Sequence, residues 1–115
     1  MKLTNVEHAS VPEAKITRYL LDLTSAKGKS KAVFFLAFGF TIEDWQRMAD
    51  ALKAHAAAHE VASIEVDAHG TRYVIEGALK TPDGRNPQVR VIWIIRDDRS
   101  APSLISAYPL RGRTV

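Results

Sequence analysis

Arg72-Tyr73-Val74-Ile75-Glu76-Gly77-Ala78-Leu79-Lys80-Thr81-Pro82-Asp83-Gly84-Arg85-Asn86-Pro87-Gln88-Val89-Arg90-Val91-Ile92-Trp93-Ile94-Ile95-Arg96 is the stretch on which the fold turns. Two runs rich in β-branched and aromatic residues flank Pro82-Asp83-Gly84-Arg85, a turn sequence, so the segment predicts a β-hairpin. Its strands should run from Arg72 to Thr81 and from Val89 to Arg96. The second is apolar on both faces through Val91-Ile92-Trp93-Ile94-Ile95 and therefore belongs in the interior of a sheet. Working outward, Val61 to Asp67 predicts a short preceding strand, joined through a His69-Gly70 turn. Asp97-Asp98-Arg99-Ser100 predicts a further turn, and Leu104 to Pro109 a last strand. The expected sheet is a four-stranded antiparallel meander.

Turn length sets which side chains share a face. If Asp83-Gly84 is a two-residue turn, Gly77 faces Arg90 and Ile75 faces Ile92. Tyr73 then lies on the Arg90 face, with Arg72 and Glu76 on the other. A bulge near Pro87 reverses that assignment.

Before Glu60 the period is helical. Ser10-Val11-Pro12-Glu13 reads as a capping box, followed by Ile16, Tyr19, Leu20 and Leu23 at helical spacing. A second helix is expected after Ser30, ending at Gly39, a natural residue just past a helix C-terminus. A third should begin at Thr41-Ile42-Glu43-Asp44, with Ile42, Trp45, Met48, Ala49, Leu52 and Ala56 inward. Trp45 and Trp93 read as core residues. The fold class is α+β: N-terminal helices followed by the meander.

At 115 residues, with 46% hydrophobic and 25% charged content, residues 1–115 make a single domain with an ordered core over about 10–110. Arg111 to Val115 is expected to be a loose tail. No apolar run approaches the roughly 18 residues needed to span a bilayer, and the N-terminus lacks a secretion-signal core. With no cysteine, disulfides, thiolate catalysis and Cys-type zinc sites are excluded. A cytoplasmic location and no membrane partner are the corresponding expectations. Charge is uneven: residues 1–31 carry six bases against three acids, 42–67 six acids against two bases, and 68–115 eight bases against four acids. Clustered bases of this kind permit a polyanion partner.

Ser25-Ala26-Lys27-Gly28-Lys29-Ser30-Lys31 places three lysines at the entrance to the second helix. A helix N-terminus carries partial positive charge and unpaired amides, so cations there are unfavourable without an anion. Lys27, Gly28 and Lys29 are candidate phosphate-binding residues; the alternative is a solvated linker. The segment lacks the P-loop pattern. His55 and His59 have the spacing of two metal ligands on one helix, but no glutamate follows His55. They read as exposed histidines near a helix C-terminus, and no metal or other cofactor is expected.

Taken together, Lys15-Ile16-Thr17-Arg18-Tyr19-Leu20-Leu21, Gly28-Lys29-Ser30-Lys31-Ala32-Val33-Phe34-Phe35, Gly39-Phe40, Arg72-Tyr73-Val74-Ile75-Glu76-Gly77, Pro82-Asp83-Gly84, Val89-Arg90-Val91-Ile92-Trp93 and Ser106-Ala107-Tyr108-Pro109 carry a resemblance. The chain resembles a small bacterial domain of unknown function that also forms the C-terminal toxin module of polymorphic and contact-dependent toxins. Such modules are similar to the barnase, colicin and RelE group of metal-independent ribonucleases. The resemblance implies an endoribonuclease-like domain whose partners are RNA and a cognate immunity or antitoxin protein. The alternative is a non-catalytic domain of the same fold that binds nucleic acid or a partner protein.

By that similarity the catalytic set is Lys31, Arg90, Ser106 and Tyr108. Lys31 comes from the Gly-x-x-Lys-Ala pattern and Arg90 from the Val-Arg-x-x-Trp strand. Ser106 stands for the hydroxyl residue of the final strand, beside Tyr108. Toxin relatives often carry His-Pro before the glycine of the lysine loop, where this chain has Ser25-Ala26. Metal-free RNA cleavage needs a base for the 2′-OH, cations for the phosphorane and an acid for the leaving 5′-oxygen. Lys31 and Arg90 would supply the cations, Ser106 a hydrogen bond, and Tyr108 or else His69 the proton.

Overall fold

The computed structural model describes residues 1–110; the expected loose tail, Arg111 to Val115, lies outside the described residues. A 3-10 turn (Val6–His8) leads to α1 (Glu13–Lys15), a π-helical turn (Ile16–Leu20), α2 (Lys29–Ala37) and α3 (Trp45–Ala58). Strands β1 (Val61–Asp67), β2 (Gly70–Ala78), β3 (Gln88–Arg96) and β4 (Ser103–Pro109) follow. They pair antiparallel in the order β1-β2-β3-β4. The α+β meander is therefore present, and the doubly apolar β3 lies inside it.

The register differs by one residue from that of a two-residue turn. Glu76 pairs with Arg90, Ile75 with Val91 and Tyr73 with Trp93. The cause is the connection. Pairing stops at Ala78 and Gln88, after which the Leu79 N–H bonds the Pro87 carbonyl at 2.9 Å. Gly84 closes the tip onto the Thr81 carbonyl, and Asn86, at φ 49°, caps the Thr81 N–H through its Oδ1. Because side chains alternate, this shift moves every residue of β2 to the other face relative to β3. Arg72 and Glu76 share the Arg90 face, and Tyr73 turns to Trp93.

The core side of the sheet supplies Ile75, Val89, Val91, Trp93, Leu104 and Ala107. Against them pack Ile16, Leu20, Phe35, Phe40, Met48, Leu52 and Ala56 from the helical half. Each large side chain buried here is worth about 1.5–3 kcal/mol. Trp93 is fully buried, while Trp45 is half-buried against the cluster. The core reaches further towards the N-terminus than residue 10, since Leu3 and Ala9 are buried.

The helix ends depart from the sequence expectation in three places. No capping box forms at Ser10, whose backbone instead bridges to β4: its N–H bonds Pro102 and its carbonyl accepts from Leu104. The first helix ends at Leu20, which leaves Leu23 exposed. At the third helix Thr41 Oγ1 accepts the Asp44 N–H, so both acids precede the helix and Ile42 lies outside the core. His55, only 3% exposed, completes the inner stripe instead. Gly39 does end α2 as expected. At φ 102° its N–H bonds the Leu36 carbonyl and the Phe40 N–H bonds that of Phe35, a Schellman pair.

Candidate anion site on the sheet face

Arg90 lies between Glu76 and Tyr108 on the sheet face opposite Val91 and Trp93. Its Nε donates to Glu76 Oε2 at 2.7 Å, and Nη2 stands 2.6 Å from the same oxygen. Across the other ladder Arg90 pairs with Tyr108, whose ring centroid is 5.8 Å from the guanidinium carbon. The Tyr108 hydroxyl first, then the Glu76 carboxylate, raise the Arg90 pKa above its ordinary value. Arg90 and Glu76 side chains remain 38% and 31% exposed, so the pair is held but open to a ligand. Arg90, Tyr108, Pro109 and Leu110 wall a recess of about 260 Å3.

Ser106 lies two residues before Tyr108 and pairs with Ile92. It is buried, and its Oγ shares a 2.9 Å hydrogen bond with the hydroxyl of Tyr19. The ammonium groups of Lys15 and Lys31 each stand 5.5 Å from the Tyr19 ring centroid. Tyr19 thus links Lys31 to Ser106, and Ser106 to the strand that carries Tyr108. The structure brings Arg90 and Tyr108 together and joins Lys31 and Ser106 through Tyr19, an aromatic that the sequence pattern offered only at helical spacing. Lys31 and Ser106 do not wall the Arg90 recess.

The lysine loop is built differently from the flexible cradle expected of it. Gly28 is buried, and its φ is −98°. Its N–H donates to Ser25 Oγ at 3.1 Å, and the Lys29 N–H donates to the Ser25 carbonyl at 2.9 Å. Those two amides are committed. Glycine is required for space: a Cβ at this position would sit 2.1 Å from the Tyr19 carbonyl oxygen. Lys27 and Lys29 point to solvent, while Lys31 bends back to the Lys27 carbonyl at 3.2 Å.

The histidines also depart from expectation. His55 is buried, and its Nε2–H donates to the Gly77 carbonyl at 3.2 Å; His59 reaches the Ala78 carbonyl at 3.0 Å. Their rings are 4.7 Å apart and clasp α3 to the end of β2 just beyond Glu76. Burial pushes the His55 pKa down to about 4, with the neighbouring His59 adding to the shift against the Gly77 and Val89 backbone. His69 sits in the β1–β2 turn, where its N–H bonds Asp67 Oδ1. The adjacent Gly70 pairs with Arg96, six residues or roughly 20 Å along β3 from Arg90, which removes His69 as the proton carrier. Among the described residues no cluster of three or more histidines, aspartates or glutamates could hold a metal ion. No described helix is long and apolar enough to cross a membrane.

The fold is shared with a chain of the contact-dependent growth inhibition toxin–immunity protein complex from Klebsiella pneumoniae 342. That similarity has a TM-score of 0.71 at 13% identity, over 94% of this chain and 98% of the other. No curated protein sequence matches. The sequence does match, over residues 2–111, the family described as a domain of unknown function (DUF6883), and the chain belongs to that family.

Proposed function

We propose that this domain is a toxin-like, metal-independent endoribonuclease whose reacting phosphate is bound at Arg90. The reading is carried by one observation: Glu76, Arg90 and Tyr108 occupy consecutive strands in direct register, giving a carboxylate, a fixed cation and a phenol side by side. Glu76 is the group the sequence reading lacked. Bonded to Arg90 on the neighbouring strand, its carboxylate is placed to take the 2′-OH proton as the 2′-oxygen attacks phosphorus. Arg90 keeps donors that Glu76 does not use, and these would meet the charge of the phosphorane. The P–O5′ bond then breaks, leaving a 2′,3′-cyclic phosphate. The 5′-oxygen takes the Tyr108 proton, and the proton held by Glu76 then returns through water to the phenolate, restoring both groups. Lys31 would extend the positive field along the strand through Tyr19, with the exposed Lys27 and Lys29 adding a diffuse attraction. RNA is the substrate class in this reading, and the cytoplasm the compartment that holds it.

The fold likeness to a toxin–immunity complex supports a toxin-related role at the level of architecture, and a cognate protein partner follows as part of the proposal. A second reading, a non-catalytic domain of the same fold that binds nucleic acid or a partner protein, is favoured by Ser25-Ala26 in the lysine loop. It is favoured too by the partial neutralisation of Arg90 by Glu76. Incubation with tRNA or total RNA in EDTA separates the two. Cleavage that falls in Arg90→Ala and Glu76→Gln supports the enzyme. No cleavage by the wild type, or equal cleavage by Lys31→Ala and Arg90→Ala, rejects it; salt-dependent binding without turnover then leaves the second reading.

A further inference from the structure

We infer that the recess walled by Arg90, Tyr108, Pro109 and Leu110 is a nucleobase subsite, with Tyr108 as its stacking surface. The inference rests on the RNA-binding part of the reading above and adds a specificity determinant to it. At about 260 Å3 the recess is smaller than the roughly 300–1,000 Å3 pockets that enclose a drug-sized ligand, so it suits one ring system. Its walls match a base and not an anion alone. Tyr108 brings a half-buried aromatic ring, Pro109 and Leu110 bring half-exposed apolar surface, and the Arg90 plane stands beside the ring. Unstacked bases of single-stranded RNA are held this way, on an aromatic or guanidinium face, and every base has the π-face required. The position is also apt: Tyr108 is the cross-strand partner of the residue assigned to the phosphate, so a base entering here belongs to a nucleotide flanking that phosphate.

The test compares two fluorescent 2′-O-methyl RNA oligonucleotides, which cannot be cleaved. One carries bases throughout; the other has the same backbone length and abasic residues in its central positions. Titrated at low salt with the wild-type protein, the base-bearing strand should bind about tenfold or more tighter. Tyr108→Leu should collapse that ratio towards one, and Tyr108→Phe, which keeps the ring, should preserve it. Leu110→Glu alters a half-exposed wall, so it guards against misfolding of the Tyr108 variant. It repels both backbones alike but should still shrink the ratio by blocking the recess. Equal binding of both strands by the wild type, or a ratio untouched by Tyr108→Leu and Leu110→Glu, overturns the subsite while leaving the phosphate site standing. Binding of neither strand overturns the subsite together with the anion site beneath it. A preserved ratio with no cleavage of ordinary RNA in EDTA supports the subsite and defeats only the enzyme reading.

Discussion

Arg90 and Lys29 each bear one positive charge, yet they are different kinds of group. Arg90 is set by pairing on both sides: Glu76 grips it from β2 and Tyr108 flanks it from β4. Lys29 starts a helix and points to solvent, and among the described residues no side chain holds it. The loop has the more conspicuous sequence and the sheet the more firmly held cation. A long side chain in water loses several rotamer freedoms before it contributes to binding, whereas one already fixed by a carboxylate has incurred that cost during folding. Charge density along a chain measures attraction; neighbours in register measure organisation.

Arg90 should matter far more than the loop lysines. Under the proposed function, Arg90→Ala should lower RNA cleavage by on the order of 10² to 10³. The double variant Lys27→Ala, Lys29→Ala should lower it by less than about tenfold and mainly weaken the dependence on salt. Initial rates at several salt concentrations decide this. Comparable losses in both variants would make the helix entrance the site after all.

Much of this was legible in the sequence because it depended on alternation and turn chemistry. The four strands, their order and the interior place of β3 follow from Val91-Ile92-Trp93-Ile94-Ile95 and its flanking turns. The face that Glu76 occupies did not follow, since it hung on whether the connection after Ala78 held two residues or more. Asn86 in a left-handed conformation and the Leu79 to Pro87 bond decide that, and neither can be read from Asp83-Gly84 alone. Tyr19 was legible as a helical-face aromatic but not as a bridge. Its hydroxyl meets a residue 87 positions later, and only the packed structure brings the two together. His55 was misread because a polar residue near a helix end is usually exposed. Here the end of α3 is pressed against Gly77, where a Cβ would lie 2.6 Å from the His59 ring.

Acid acts on the sheet side, because the histidine clasp secures the residues that follow Glu76. The His55 pKa of about 4 lies below the ordinary value of 6.5, so the unfolded chain binds the additional proton. The contribution of this residue to stability is intact above about pH 6.5 and drains as the pH falls towards 4. Across that window protonation of the unfolded chain alone lowers stability by about 3 kcal/mol. Urea midpoints at pH 7 and pH 4.5 should show this loss in the wild type. In His55→Gln, stability at pH 7 should fall by about 1 kcal/mol and the acid dependence should flatten. An equally steep acid limb in that variant would assign the proton uptake elsewhere.

The loop side is tested by filling the space that fixes it. Gly28→Ala puts a methyl against the Tyr19 carbonyl, 2.1 Å from the oxygen and 2.9 Å from the carbon, so backbone must move. The expected cost is about 1–3 kcal/mol by thermal or urea unfolding. Gly84→Ala makes a useful contrast, for among the described residues nothing beyond its chain neighbours lies within 4 Å of an added Cβ and only its φ of +79° resists the substitution, at about 1 kcal/mol. If Gly28→Ala proves neutral, the lysine loop is not anchored to Tyr19 and its geometry relative to the sheet is loose.

The smallest effect probes the Tyr19–Ser106 bond that joins the two regions. Tyr19→Phe keeps the ring that lies near Lys15 and Lys31 and removes only the hydroxyl bonded to Ser106. Ser106 is 8% exposed, so its Oγ is left with little access to water and stability should fall by about 1 kcal/mol. Ser106→Ala removes the other partner and should cost a similar amount. The double variant should cost less than the two single losses together, because one bond cannot be lost twice. Additive losses would mean that the hydroxyls act separately, and the lysine loop and the sheet cation would then be neighbours without a connection. Sub-additive losses with a parallel drop in RNA affinity would tie the solvated cations to the held one through this single bond.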